Sequence, residues 1–305
     1  MSYATAKRWF IKFRNGDFNL EDQLRPGRPT EIETEEIRES LEASPITSTR
    51  ILAEIHGASH MTMHRKLISM GKVNKKCREV PHSLTDEQAE RRLMVCKQLL
   101  ESPFDERFIK RIVTCDEKWI FFNNPDRGRQ WLSPGQSAES VVRQGRYDRK
   151  VMLCVWWNYK GLVHFELLKE GQTINSSLYS EQLERMLDRL EDLEPALVNR
   201  KRVLLQQDNA PAHTAKNTKR KIKDLDIELL PHPAYSPDLA PSYYHLFRSL
   251  AHFLRGKDFD TFEDIEKAVS DFFASKDPAW FHGGILALAR RWQMTIEHDG
   301  LYFEE

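Results

Sequence analysis

What the 305-residue chain lacks narrows its identity first. Its 46 Lys and Arg are matched by 46 Asp and Glu, so net charge supplies no attraction to a polyanion, and any nucleic-acid partner has to be met by local patches. Its four cysteines, Cys77, Cys96, Cys115 and Cys154, stand singly. They have neither the close pairing of a zinc site nor the density of a disulfide framework, and read as reduced thiols. No apolar stretch approaches the length of a membrane span, and the opening MSYATAKRWFIKF is mixed basic and aromatic rather than continuously apolar. The expectation is an intracellular soluble protein. With 40% apolar residues, the chain is too long for one small core and fits two or three compact units.

Residues 1–16 carry Lys7, Arg8, Lys12 and Arg14 and no acid, with Trp9, Phe10 and Phe13 at helical spacing, which predicts a short amphipathic helix. RPGRP follows at 25–29. Its proline and glycine predict an extended linker, and Arg25 and Arg28 on such a backbone suit a narrow, electronegative minor groove. Between 31 and 74 three short helices are expected, marked by Ile37 and Leu41, by Ile51, Leu52 and Ile55, and by Met63, Leu67 and Met70. Thr47 or Ser48 is available to cap the second, and His56-Gly57 supplies a stop before the third. Two short helices joined by a tight turn make a helix-turn-helix. The third carries His64, Arg65 and Lys66, and residues 65–78 hold six basic residues and no acid, a candidate phosphate-binding face. A trihelical protein-interaction module with a solvated basic edge fits the same pattern.

A long charged helix is expected from about Thr85 within a linker region at 75–108. It leads into FIKRIVTCDEKWIFFNN, which predicts a buried strand with Asp116 and Glu117 in its middle. Residues 123–149 are polar and basic, a long excursion between strands. KVMLCVWWN and GLVHFELL predict a hairpin around Tyr159-Lys160, followed by a helix at about 177–192. RVLLQQDNA predicts a strand ending at Asp208, AHTAKNTKRKIKDL a basic helix, IELLP a short strand, and the stretch from about Pro241 a last helix. The order β-β-β-α-β-α-β-α suits a mixed α/β sheet flanked by helices. Strands bearing Asp116 and Asp208 could lie side by side, and two such carboxylates repel unless a cation intervenes or one keeps its proton. Mg²⁺ or Mn²⁺ prefers oxygen ligands of this kind and leaves room for phosphate oxygens. Two ions about 3.5–4 Å apart serve in-line phosphodiester displacement. The same residues also fit a plainer arrangement, with Asp208 opening the DNAPAH turn and Asp116 paired to Lys118 or an arginine.

VTCDEKW, QQDNAPAHTA and HPAYSPDLAPSYYHLF, in this order, closely resemble the three catalytic blocks of mariner transposases. RWFIKFRNGDFNLED, RPGRP, the helix-turn-helix, VPHSLT and ARRWQ also resemble mariner segments, so the match runs over nearly the whole chain. The resemblance implies an α/β RNase H-like catalytic domain preceded by an all-α helix-turn-helix DNA-binding region. It implies a cut-and-paste enzyme that hydrolyses a phosphodiester and transfers the strand with Mg²⁺ or Mn²⁺. The implied partner is double-stranded DNA, both terminal inverted repeats and target, handled by a homodimer, with no membrane and no small-molecule substrate. A nuclear location follows from that substrate, helped by KNTKRKIK at 216–223, which equally fits a solvated helix face. On this basis residues 1–24 are the remnant of a first helix-turn-helix, 25–30 a basic linker, 31–74 a second helix-turn-helix and 109–305 the catalytic domain. Within the last, 123–149 resembles the loop by which mariner subunits clasp each other.

Carried over residue by residue, the resemblance makes Asp116 and Asp208 metal ligands and catalytic residues, and Lys7, Arg8, Arg25, Arg28, His64, Arg65 and Lys66 DNA contacts. The family's third aspartate follows the second after 34 intervening residues, a position that Tyr243 fills here. At neutral pH a phenol keeps its proton and is a poor ligand for a hard cation, so the second ion is expected to bind weakly and cleavage to be impaired. Asp238 already belongs to the family motif alongside the catalytic acid and is not expected to substitute. Two other departures are expected to weaken repeat recognition and subunit contacts: the chain starts within what resembles the final helix of the first helix-turn-helix, and Glu79 replaces a tryptophan. A non-enzymatic DNA-binding protein derived from a transposase is the alternative.

Overall fold

The structure, a computed structural model, describes residues 2–21, 32–44, 47–73, 80–101, 104–125, 145 and 147–303. Its contacts divide the chain into two units, Met1–Arg78 and Glu79–Glu305. No helix among the described residues is long and apolar enough to cross a membrane.

In the first unit, α1 (Tyr3–Arg14) is capped by the Ser2 side chain and buries none of its residues. Trp9 packs on Phe13 and Phe13 on Phe18, with ring centroids 5.6 and 5.8 Å apart. Helices α2 (Thr34–Ala43), α3 (Thr49–Ile55) and α4 (His60–Ser69) follow. Of the two candidate caps for α3, Ser48 is the one used, and Gly57 leaves the helix at φ 61°, a conformation that glycine adopts at little cost. Ile37, Leu52, Ala53 and Met63 form a small core, with Leu41, Leu67 and Met70 half-buried around it. Ile51 and Ile55, expected to face inward with Leu52, are exposed. They sit one turn apart on a face of their own, and a helix of seven residues offers only the Leu52–Ala53 side to its neighbours.

The second unit is built on a five-stranded sheet. Central β1 (Ile112–Phe121) pairs antiparallel with β3 (Lys150–Asn158), which turns back into β4 (Gly161–Leu168). On its other side β1 pairs parallel with β5 (Leu204–Gln206), and β5 with β6 (Glu228–Leu229). Strand alternation sorts side chains between two cores. Ile112, Ile120, Val151, Leu153, Val155, Trp157 and Leu204 face one; Val113, Cys115, Cys154, Trp156 and Leu205 face the other. The second core is closed by α7 (Ser176–Leu193) through Tyr179, Leu183, Met186 and Leu190, and by Ile222 of α9 (Lys216–Asp224), which follows the one-turn α8 (Pro211–Thr214).

The first core is larger because more helices cover it. These are α5 (Asp86–Glu101), the short α6 (Glu106–Ile109), α10 (Arg248–Leu254), α11 (Phe262–Ala274) and α12 (Pro278–Glu297). Helix α5, assigned from sequence to a linker region, contributes Cys96 and Leu99 to this core and packs along α12. Its start is a reciprocal cap: Thr85 Oγ1 accepts from Gln88 N–H, and Gln88 Oε1 accepts from Thr85 N–H, at 3.3 and 3.0 Å. The helix expected from Pro241 is two elements, a π-helical turn at Ser242–Phe247 and then α10. Two-residue strands β2 (Asn123–Asn124) and β7 (Lys257–Asp258) pair antiparallel beside the main sheet. Cys96, Cys115 and Cys154 are free and buried; Cys77 lies outside the described residues.

The crossing of α5 against the end of α12 depends on Gly300, whose φ is +81° and where an added Cβ would lie 1.9 Å from the Ala89 carbonyl oxygen. Both backbones are fixed, so neither can yield. Gly300→Ala should therefore destabilise the protein by about 2–4 kcal/mol, measured by chemical denaturation against wild type.

Candidate active site

The register of β1 on β5 brings the two acids into one cleft. Ile112, Val113 and Thr114 pair with Leu204, Leu205 and Gln206; Asp116 follows two residues on along β1 and Asp208 two residues on along the chain that leaves β5, and both line the same cleft. Just below them the Thr114 hydroxyl donates to the Gln206 amide oxygen, both side chains buried. One cleft of about 720 Å³ is lined by Asp116, Asp208, Asn209, His232, Tyr235, Tyr243, Trp119 and Phe247, among others. Asp116, Asp208 and Tyr243, predicted far apart in sequence, thus share a site. Tyr243 sits in the π-helical turn, half its surface exposed; such irregular turns recur at functional sites.

Side chains that periodicity did not reveal complete the arrangement. His213 of α8, almost wholly enclosed, lies between two acids. Its Nδ1 is 2.6 Å from Asp208 Oδ1 and its Nε2 3.3 Å from Glu117 Oε1, and the Tyr179 ring packs on it at 4.2 Å. Burial opposes a charge on His213, but the hydrogen bonds to Asp208 and Glu117 outweigh it and raise the imidazole to about 10. Asp208 experiences burial that favours its neutral form, overcome by the His213 and Ala210 N–H hydrogen bonds, so its carboxyl is held below the ordinary value. Asp208 does open the DNAPAH turn, accepting from Ala210 N–H at 2.9 Å. Asp116 makes no ion pair with Lys118 or an arginine among the described residues. It accepts from Glu117 N–H at 2.8 Å and is pushed up to about 8, first by its enclosure and then by Glu117 and Asp208. His232, hydrogen-bonded through Nδ1 to Gln206 at 3.2 Å, is held down to about 4 by burial and is neutral. The sequence signal for His213 was its place five residues after Asp208 in DNAPAH.

Asp238 has a different duty. Arg92 of α5, fully buried, grips it with two hydrogen bonds of 2.8 and 2.7 Å and also donates to Ser236 Oγ and the Gly300 carbonyl. Arg291 donates to the Asp238 carbonyl. This clamp shapes the 232–240 loop that forms one wall of the cleft, and it commits the Asp238 carboxylate away from the acids. Nothing in the periodicity of a charged helix distinguishes Arg92 from its solvated neighbours.

The donor set suits a hard divalent cation in part. Asp116 and Asp208 offer carboxylate oxygens whose mutual repulsion a cation would relieve. Among the described residues no group of three His, Cys, Asp or Glu is arranged to hold a metal, and the Tyr243 phenol shares the lining of the cleft with the two carboxylates.

Of the predicted DNA contacts, Lys7 and Arg8 lie exposed on α1, His64 and Arg65 exposed on α4, and Lys66 half-buried. Arg25, Arg28, Glu79, the basic run from Lys75 to Arg78 and most of the 123–149 loop lie outside the described residues.

A mixed sheet whose central strand and parallel neighbour each carry an acid into one cleft, with helices on both faces, is the RNase H-like fold of DDE phosphodiester-processing enzymes. Residues 121–200 match the family model described as transposase, partial DDE domain. The chain is 41% identical over 300 residues to the mariner Mos1 transposase of Drosophila mauritiana, covering 98% of this chain and 87% of that one. It therefore belongs to the mariner transposase family. It is also 42% identical over 300 residues to the human histone-lysine N-methyltransferase SETMAR, of which it spans only 44%. The structure matches the Mos1 paired-end complex with Mn at a TM-score of 0.87 and 41% identity, over 100% of this chain and 89% of that one. It matches the complex with Mg at 0.86 and 40%, over the same shares.

Two outcomes test the site. Asp238→Ala leaves the Arg92 charge buried without its partner and should cost about 3–5 kcal/mol of stability, measured by urea denaturation. The pH response follows from the two raised groups. Asp116 keeps its proton to about 8 in the fold but would lose it near 3.8 unfolded, so stability falls as pH rises across that window. His213, raised from 6.5 to about 10, stabilises fully below the first value and stops doing so as pH passes the second. Asp208 titrates below both windows. Cation-free protein should thus melt at a lower temperature near pH 9 than near pH 5. Mg²⁺ or Mn²⁺, displacing the Asp116 proton, should raise the melting temperature more at the higher pH, and Asp116→Asn should abolish that increment.

Proposed function

We propose that this protein binds transposon-end DNA and holds one divalent cation strongly between Asp116 and Asp208, with cleavage by this cleft slowed because Tyr243 stands where the family's third aspartate stands. The observation that carries this is the meeting of Asp116, Asp208 and the Tyr243 phenol in the lining of one cleft. Similarity to Mos1, solved as paired-end complexes with Mn and with Mg, supports DNA as substrate and Mg²⁺ or Mn²⁺ as cofactor. By descent the reaction is hydrolysis of a phosphodiester followed by strand transfer.

When bound, the cation supplies Lewis acidity toward a phosphoryl oxygen and an acidified water. The protein's own residues do the rest. Asp208 is fixed in orientation by His213 and by the Ala210 N–H, so it presents its other oxygen without rotating. His232 is neutral and adds no charge beside the acids. The Arg92–Asp238 clamp holds the opposite wall. Lys7, Arg8, Arg25, Arg28, His64, Arg65 and Lys66 are proposed to contact DNA; a homodimer and a nuclear location complete the proposal. A second reading, a DNA-binding protein without catalysis, is favoured specifically by the missing third carboxylate.

The decisive comparison is Mg²⁺-dependent nicking of terminal-repeat duplex by the wild-type chain, by Tyr243→Asp, and by Tyr243→Asp with Asp208→Ala. Tyr243→Asp should nick at least about 10-fold faster than wild type, a gain of about 1.4 kcal/mol in transition-state stabilisation, and Asp208→Ala should abolish the gain. Equal rates for wild type and Tyr243→Asp would refute the role given to Tyr243. Binding without cutting by all three would leave the non-catalytic reading.

A further inference from the structure

We infer that the outer face of α9 is a second DNA-binding surface, gripping the phosphate backbone of duplex close to the cleft independently of the helix-turn-helix unit. The inference rests on the proposed function in taking DNA as the polyanion, and adds where on the catalytic unit it is held.

Helix α9, KNTKRKIKD, carries five basic residues and one acid in a chain that is neutral overall. Its inward side is fixed by two residues one turn apart. The Thr218 hydroxyl donates to the Ala212 carbonyl at 2.6 Å in a buried contact, and Ile222 enters the core under the sheet. At about 100° per residue, that orientation turns Lys216, Lys219, Arg220 and Lys223 into one outward arc about 100° wide, and all four are exposed. Lys221, off that arc, is paired with Glu184 at 2.5 Å. Among the described residues none of the four arc cations has an ion pair or hydrogen bond.

A merely solvated face does not account for this pattern. The four cations stand at i,i+3 and i,i+4 from one another, the spacing at which like charges destabilise a helix. Lys216 and Lys219 also lie in its first turns, where the helix dipole disfavours cations. The sequence tolerates both penalties without the interspersed acids that would remove them, and an external polyanion removes both. The position fits duplex entering the site. Asp208, Asn209 and Ala210 line the cleft, α8 follows at Pro211, and α9 begins at Lys216 on the same run of chain. Four cations spaced along about two helical turns, at 1.5 Å rise per residue, reach two or three successive phosphates.

The test is a salt titration of full-length protein binding a short duplex of arbitrary sequence. It compares wild type, a variant with Lys216, Lys219, Arg220 and Lys223 all changed to Gln, and a charge-matched control with Lys169, Lys201, Lys267 and Arg290 changed to Gln, all exposed positions outside α9. Thermal melting verifies that each variant folds. The α9 variant should show a plot of log affinity against log salt shallower by about 2 to 3, the control a slope like that of wild type. Equal slopes for wild type and the α9 variant, or equal losses in both variants, overturn the inference while leaving DNA binding elsewhere intact. No duplex binding by wild type at low salt overturns the inference and the proposed function together. Unchanged DNA binding with loss of nuclear entry by the α9 variant assigns the face to a transport receptor instead.

Discussion

The parallel pairing of β1 with β5 is the constraint on which the site depends. Three residue pairs fix the register, and the buried Thr114–Gln206 contact reinforces it one layer below the acids. A slip of one residue would turn the side chains of the slipped strand to the other face of the sheet, separating Asp116 from Asp208 and exchanging the two cores. The sheet's mixed character follows from the same strand. On one side β1 is held by a long antiparallel hairpin that buries Trp156 and Trp157; on the other it accepts a short parallel neighbour that ends where Asp208 begins the DNAPAH turn.

Charge is concentrated where that register brings it together. Asp116, Glu117 and Asp208 form an acidic group whose strain is met in two ways: His213 bridges two of the acids, and Asp116 retains a proton to about pH 8. A third aspartate at position 243 would add to the repulsion. On the function proposed here, Tyr243 spares the site that repulsion and offers no carboxylate oxygen to a cation. Stability and activity are often traded in this manner at catalytic sites. The Arg92–Asp238 clamp is the counterpart on the opposite wall, an ion pair that shapes a loop instead of taking part in chemistry.

Neutral net charge hides this distribution. Acids gather in the cleft and cations on α9 and α4, so on the function proposed here attraction to a polyanion comes from patches, and the repulsion within the site is what a divalent cation would relieve. The same logic explains why α9 can be both structural and electrostatic: Thr218 and Ile222 hold it to the core, while the opposite arc has no acid partner among the described residues.

The sequence by itself determined the local and chain-order features. Runs rich in Ile, Val, Phe and Trp announced the strands that the structure places at 112–121, 150–158 and 161–168, apolar spacing with cap and stop residues announced the three short helices of the first unit, and the resemblance to mariner blocks, with its 34-residue interval, singled out Asp116, Asp208 and Tyr243. The first two are short-range signals; the third is a resemblance between sequences. Only the tertiary structure decided which side chains meet. Arg92 lies on a helix whose charged composition looks solvated, yet it is buried against Asp238; Ile51 and Ile55 look like core and are exposed; His213 looks like part of a turn and bridges two acids. Each depends on contacts between residues distant in sequence. Periodicity records which face of an element is apolar, but it does not record what that face or its opposite will find across the fold.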